Sequence, residues 1–399
     1  MPAVRTVCHN FFRTVLSSFH QARTNTLLSC AEGLIAGNTL SLTKIGRHLP
    51  GKAKVKHKIK RVDRFIGNQK LHDENTAISA AIARRITACL PSCVIAIDWS
   101  GCCSQDFHVL RASLVYDGRG LPLLNRVVSS ERQEHNDEHQ QFLLDLQALL
   151  GTQRRVVIVT DAGFKTPWLR QVRALGWEFV GRVRGRIYGK LDSEQEWHPA
   201  TGLTQHASAT PEALGSGQLG KSVKRRCSVY FHQYHGPAKG RHKKRGKKQP
   251  LYPQAEERYR ALAKEPWLLV TSDERLSAKE VVSIYQTRMQ IEQNFRDDKS
   301  QRYGFGWSNS KTLGEKRIAV LCLIAQVATL MLWLVGFEGE HQGRHRRYQA
   351  NTVKRRVLSF LSLGKQMLFH EPRRVTGSLL ERALARLSRL YLLSPGVSA

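Results

Sequence analysis

Residues 93–98 read C-V-I-A-I-D, five apolar residues, three of them β-branched, and then an acid. A short unbroken apolar run of this kind predicts a strand buried on both faces. The pattern returns at 156–161, V-V-I-V-T-D, again closing on an acid. Working outward, Val109–Tyr116 and Leu121–Val128 are strand-like and are joined by D-G-R-G (117–120), a hairpin signal. His139–Leu150 has the apolar spacing of an amphipathic helix. Beyond the second run, Lys165–Leu175 predicts a helix and Trp177–Val183 a further strand.

Three strands, helix, strand, helix, strand is the order of an α/β core of the ribonuclease-H-like (retroviral-integrase-like) kind. Such a core closes with a helix bearing a third carboxylate. Ile284–Lys299, I-Y-Q-T-R-M-Q-I-E-Q-N-F-R-D-D-K, holds no Gly or Pro and predicts that helix. At about 100° per residue, Tyr285, Arg288, Glu292 and Lys299 fall within roughly 60° of one another. Ile284, Ile291 and Phe295 give apolar packing to steady that face. A phenol, a guanidinium, a carboxylate and an ammonium suit the gripping of phosphate beside one metal-binding oxygen group. The plainer alternative is a solvated helix with Arg288 and Glu292 as an i, i+4 pair. Asp297 and Asp298 point about 140° and 120° away from Glu292 and are not expected to bind metal.

Asp98 and Asp161 each follow a buried run, so each acid is fixed where a site can open. With Glu292 they make three carboxylates, which repel one another unless cations neutralise them. Oxygen-only ligation favours Mg²⁺, with Mn²⁺ as a substitute, over zinc. Two such ions about 4 Å apart would serve an in-line phosphodiester displacement.

The chain of 399 residues carries a formal net charge of +31, with a pI near 10.3. Its basic residues are spread over several segments, which implies a long polyanion, DNA or RNA, more than a membrane surface. S-L-T-K-I-G-R-H-L (41–49) resembles the turn region of a helix-turn-helix, with Gly46 where a tight turn could sit. Lys52, Lys54, Lys56, Lys58 and Lys60 then alternate with apolar residues and His57, which predicts a phosphate-tracking surface. The runs Lys221–Arg226 and 236–250 lie in a polar, turn-rich stretch, and the like charges of the second predict mobility in the free protein. The eight cysteines form no C-x-x-C pair and read as reduced thiols of a cytoplasmic protein. Ile318–Phe337 is apolar enough to span a membrane, yet Gln326 and Thr329 and the lack of a second span favour a buried core helix. The resulting division is a helical basic domain at 1–88, a core at 89–340 interrupted by a mostly β insertion at 185–264, and a helical segment at 341–399.

Tyr285, two residues, Arg288, three residues, Glu292, six residues, Lys299 resembles the Y-R-E-K signature of insertion sequence 4 family transposases. The similarity extends through S-L-T-K-I-G-R-H-L-P, A-I-D-W-S, T-D-A-G-F, R-V-R-G and E-P-W-L-L-V-T to Q-A-N-T-V (349–353). It implies a cut-and-paste DDE transposase in which Asp98, Asp161 and Glu292 are catalytic and hold two Mg²⁺. It further implies that Tyr285, Arg288, Arg296 and Lys299 contact phosphates near the cleavage point, and that Arg182 and Arg184 clamp the DNA end. Trp267 would stack on a flipped base of a hairpin intermediate. Met289 stands where some relatives carry an aromatic wedge, and Gln293 where many carry a second acid. The partners implied are terminal inverted repeats, target DNA and a second copy in a synaptic homodimer, with the 341–399 segment as a dimerisation element. Two other readings stay open, a catalytically inactive DNA-end-binding inhibitor and a ribonuclease-H-like nuclease or resolvase.

Overall fold

The computed structural model describes residues 2–102, 106–116, 119–152, 154–222, 226–236, 265–302 and 304–392. The chain opens with helices α1 (Pro2–Arg13), α2 (Gln21–Gly37), α3 (Leu42–His48), α4 (Val55–Ile66) and α5 (Gln69–Thr87). Strands β1 (Ser92–Cys102), β2 (Phe107–Leu114) and β3 (Leu121–Ser129) follow, and then helix α6 (Asn136–Leu150). Next come β4 (Arg155–Thr160), α7 (Thr166–Ala174), β5 (Glu178–Val183), β6 (Tyr188–Leu191), β7 (His198–Pro199) and α8 (Ala200–Leu203). Strands β8 (Glu212–Leu219), β9 (Cys227–Tyr234) and β10 (Trp267–Thr271) lead to α9 (Ala278–Thr287) and α10 (Met289–Lys299). Helices α11 (Glu315–His341), α12 (Phe360–His370) and α13 (Gly377–Leu392) complete this mixed α/β chain. It divides into two compact units, Met1–Val156 with Thr287–Ala399, and Val157–Gln286.

The first unit is built around α11. Its most apolar 18-residue stretch would suit a membrane by length and composition, but 94% of it is buried inside the protein. It packs against α2, α4, α5, α12, α13 and β3. Gln326 meets no unpaired environment there: its Oε1 accepts from Ser79 Oγ at 2.6 Å and its Nε2 donates to Leu123 O at 3.0 Å. One amide thus ties α5 and β3 to α11 while satisfying its own polarity. Close approach of α11 to α12 rests on glycine. A Cβ at Gly364 would lie 2.0 Å from Leu332 O, and one at Gly336 1.9 Å from Phe360 O.

β1, β2 and β3 form two antiparallel pairs, from Ile95↔Leu114 to Cys102↔Phe107 and, with a register shift between Ala112 and Ser113, from Leu114↔Leu121 to Phe107↔Ser129. Asp98 therefore sits within β1, not after it as the apolar run suggested, because the backbone ladder continues past Ile97 to Cys102. Asp117 and Gly118 of the expected hairpin, and residues 237–250 of the basic run, lie outside the described residues. Gly46 is not a turn residue. It lies inside α3, where a Cβ would come 2.7 Å from Ile59 Cα, so its lack of a side chain lets α4 approach.

In the second unit β4 runs parallel to β5, and β5, β10, β9, β8, β6 and β7 then follow in antiparallel pairs. The strands between residues 188 and 234 continue the sheet through the β9–β10 pair.

Candidate functional site

The expected single helix over 284–299 is two helices. α9 ends at Thr287, and α10 begins at Met289 with Arg288 as its N-cap in helical backbone geometry (φ −51°, ψ −34°). The stripe of four side chains is divided with it: Tyr285 belongs to the second unit, and Arg288, Glu292 and Lys299 to the first. No Gly or Pro marks the break, so propensity alone could not reveal it.

α10 is docked on β1 and β2 by a buried polar network. Asp98 and Arg111 are cross-strand partners, so their side chains share a sheet face, and Ser100 lies two residues along on the same side. Arg111 is 1% exposed. Its guanidinium pairs with Asp298 at 2.7 Å, donates to Asn294 Oδ1 at 2.7 Å and to Asn125 Oδ1 at 2.6 Å, and lies 4.7 Å from the Phe295 ring centroid. Ile291, Asn294, Phe295 and Asp298 are thus the buried stripe of α10. Burial pushes the Asp298 carboxyl above its usual range and the Arg111 cation pulls it back. Asp297 pairs with Arg119 at 2.8 Å, and burial raises its carboxyl to about 6.

That docking brings Glu292 to Asp98. Arg288 bridges them, with Nη1 3.3 Å from Asp98 Oδ2 and Nη2 2.6 Å from Glu292 Oε1. The other Asp98 oxygen accepts from the Trp99 N–H at 2.8 Å. Trp99 in turn donates its indole N–H to His139 Nε2 at 3.2 Å, and burial lowers His139 to about 4, which keeps it a neutral acceptor. Lys299 donates to Ser100 Oγ at 2.7 Å, and partial burial lowers its ammonium pKa. Met289 and Arg296 are exposed on the same helix.

In the second unit Asp161 directly follows β4. Its Oδ1 accepts from Gly163 N at 2.9 Å, a local turn that fixes the carboxylate before α7 starts. Arg182 and Arg184 converge on Glu265, at 3.4 and 2.5 Å. Arg182 also lies 5.9 Å from the Trp267 ring centroid, and burial lowers its pKa. Trp267 meets Tyr285 edge-on at 5.0 Å and Tyr234 at 5.6 Å. Tyr285 is 5% exposed, a ring in a packed aromatic group. Arg182 and Arg184 are likewise engaged within the protein, by Glu265.

Lys54 precedes α4, and Lys56, Lys58 and Lys60 lie on it; Lys52, Lys54, Lys56 and Lys60 are exposed and Lys58 half-buried. Arg111, Asn294, Glu265 and His139 carry no motif of their own in the sequence, and Asp298 stands out there only as an acid turned away from Glu292. An arginine inside the apolar strand V-L-R-A-S-L was a usable signal, since a buried guanidinium requires an acid elsewhere.

Among the described residues, no three His, Cys, Asp or Glu side chains are grouped to hold one metal ion. Asp98 and Glu292 nevertheless fit a hard divalent cation: two carboxylate oxygens already face one positive charge, that of Arg288. A family model described as a transposase DDE domain matches residues 90–328. No curated protein matches the chain.

Proposed function

The chain belongs to the transposase DDE domain family, and on that premise we propose that it is a cut-and-paste DNA transposase. Within the family the Y-R-E-K spacing supports the insertion sequence 4 group, and the matching runs from S-L-T-K-I-G-R-H-L-P to Q-A-N-T-V support a likeness to the transposase of the tetracycline-resistance composite transposon. The observation that carries the reading is the convergence of Asp98 and Glu292 on a single cation. Asp161, at the end of β4, supplies the third carboxylate. Divalent ions held by these three acids, Mg²⁺ or Mn²⁺ and two to a site, would activate the attacking oxygen and stabilise the leaving one.

The reaction sequence proposed begins with water cutting one strand at a terminal inverted repeat. The freed 3′-hydroxyl attacks the opposite strand to close a hairpin, and after hairpin opening it attacks target DNA. Arg288 neutralises Asp98 and Glu292 in the free protein and turns to a DNA phosphate when the end arrives. Lys299 is held by Ser100, so its ammonium is aimed without searching rotamers. Trp267 offers a partly exposed ring for a flipped base, oriented from behind by Tyr285 and Arg182. Exposed Met289 would sit at the displaced base's position and exposed Arg296 on the backbone. Arg182 and Arg184 clamp the end after exchanging Glu265 for phosphate. The lysines of α4 grip the repeat, and two copies act in a synaptic dimer.

The test is to incubate the protein with labelled terminal-repeat DNA and Mg²⁺, beside Asp98→Ala, Asp161→Ala and Glu292→Gln. Nicked, hairpin and joined products are expected from the unaltered protein only. Cleavage without joining would favour a nuclease, and binding without cleavage an inhibitor.

A further inference from the structure

Residues 341–376 carry nine Lys and Arg against a single acid, Glu371, a formal net charge of +8. The whole chain has 63 basic and 32 acidic residues, so this stretch is far more one-sided than its surroundings. The single acid is not spread among distant charges but used as a hub. Glu371 is paired with Arg347 at 3.0 Å, Arg374 at 3.0 Å and Arg344 at 3.6 Å, and it accepts from the Tyr348 hydroxyl at 3.0 Å. Two short 3-10 turns, Arg344–Arg347 and Pro372–Arg374, are thereby drawn together. One carboxylate holding three guanidiniums leaves a local excess of two positive charges. Arg346 and Arg373, on the same two turns, are exposed beside them.

A second device stiffens the neighbouring loop. Gln349, the first residue of the Q-A-N-T-V run, donates to Val353 O and Arg355 O, both at 2.7 Å, and accepts from Val357 N at 3.1 Å. His345 closes the loop from the other side, donating to Lys354 O at 3.1 Å. The backbone of 349–357 is therefore fixed by side chains, and Asn351, Thr352, Lys354 and Arg355 stand exposed on it. Fixed donors around a dense positive field are what a phosphate backbone requires, because little ordering entropy is lost on contact.

We propose that the surface formed by Arg346, Arg347, Lys354, Arg355, Arg373 and Arg374 is a separate footing for duplex DNA, read through its phosphates and without regard to sequence. The inference rests on the transposase reading and extends it to the DNA that has no terminal repeat. It gives Q-A-N-T-V the role of a clamp that shapes the surface, distinct from any contact with the reacting strands.

Two double variants test it, Arg346→Ala with Arg373→Ala and Lys354→Ala with Arg355→Ala. None of these side chains makes the Glu371 or Gln349 bonds that build the surface. Affinity for a duplex lacking terminal repeats is measured against salt concentration, with sedimentation to give the mass of the free protein. Each double variant is expected to flatten the slope of log K against log salt by about 1.8, from two phosphates at about 0.9 each. The mass should not change. An unaltered slope in both variants would overturn the inference, and if the mass fell as well, the surface would be a contact between copies. The transposase reading stands or falls separately, on whether the unaltered protein cleaves and joins terminal-repeat DNA.

Discussion

At the scale of single residues, Arg288 holds the candidate centre in its free state. Its two contacts occupy the carboxylate oxygens that a metal ion would need. Arg288→Ala should therefore bind Mn²⁺ more tightly without DNA, by about three- to tenfold for loss of a partly exposed charge-assisted pair. Mn²⁺ titration followed by electron paramagnetic resonance measures this, and equal affinity would show that the guanidinium does not compete. DNA cleavage by the same variant should fall, since the phosphate contact is lost. Apolar runs and helical spacing singled out Asp98, Asp161 and Glu292 in the sequence, and the structure brings Asp98 and Glu292 to one guanidinium. The partners of Arg111 and Glu265 were not legible, because a charge's partner far along the chain is set by the fold, not by spacing.

At the scale of elements, the position of α10 decides where Glu292 stands, and the Arg111–Asp298 pair decides the position of α10. Arg111→Met alone leaves a buried carboxylate unpaired and should cost about 3–5 kcal/mol in a denaturant melt. Arg111→Met with Asp298→Leu should restore most of that stability, since apolar replacement of both partners is often neutral. A double variant no more stable than the single would show that apolar packing cannot replace the pair. The α11–α12 contact gives a second prediction. Gly364→Ala forces a methyl group to within 2.0 Å of Leu332 O, and overpacking of this kind should lower stability by about 1–3 kcal/mol. An unchanged melting temperature would mean that the helices part freely. Strands β1 to β5 and helices α6 and α7 were readable from period and composition. The break at Arg288 and the extension of β1 through Asp98 were not, because both depend on hydrogen bonds to other elements and on no residue that forbids the alternative.

At the scale of the whole molecule, charge and acidity act together. Lys52→Ala or Lys56→Ala should each weaken binding of duplex DNA and flatten its salt slope by about 0.9, and an unchanged slope in both would remove α4 from the DNA-facing surface. Burial also sets a pH response. His139 in the first unit and His232 in the second are each held neutral, with pKa lowered to about 4. The unfolded chain takes up these protons from its ordinary value of 6.5, so stability is present above that pH and falls as pH drops toward 4. For His139 the full loss is about 3 kcal/mol. Asp297, raised to about 6, works in the opposite sense, so the histidine effect is best isolated as a difference. His139→Gln, which keeps an acceptor for Trp99, should flatten the fall between pH 6.5 and 4 relative to the unaltered protein. Identical pH profiles would contradict the buried neutral state. The extreme basicity was legible in composition, whereas the division into two units follows from contacts that composition does not carry.

The proposal most open to test is that Asp98, Asp161 and Glu292 are the acids that bind divalent metal for the reaction. Fe²⁺ substituted into the protein in the presence of ascorbate and peroxide cuts the polypeptide beside bound metal, so the fragments report which segments surround it. Cuts are expected close to residues 98, 161 and 292, all suppressed together by excess Mg²⁺ and all lost in Asp98→Ala. Cuts near 98 and 292 with none near 161, or cuts that survive Asp98→Ala, would contradict it.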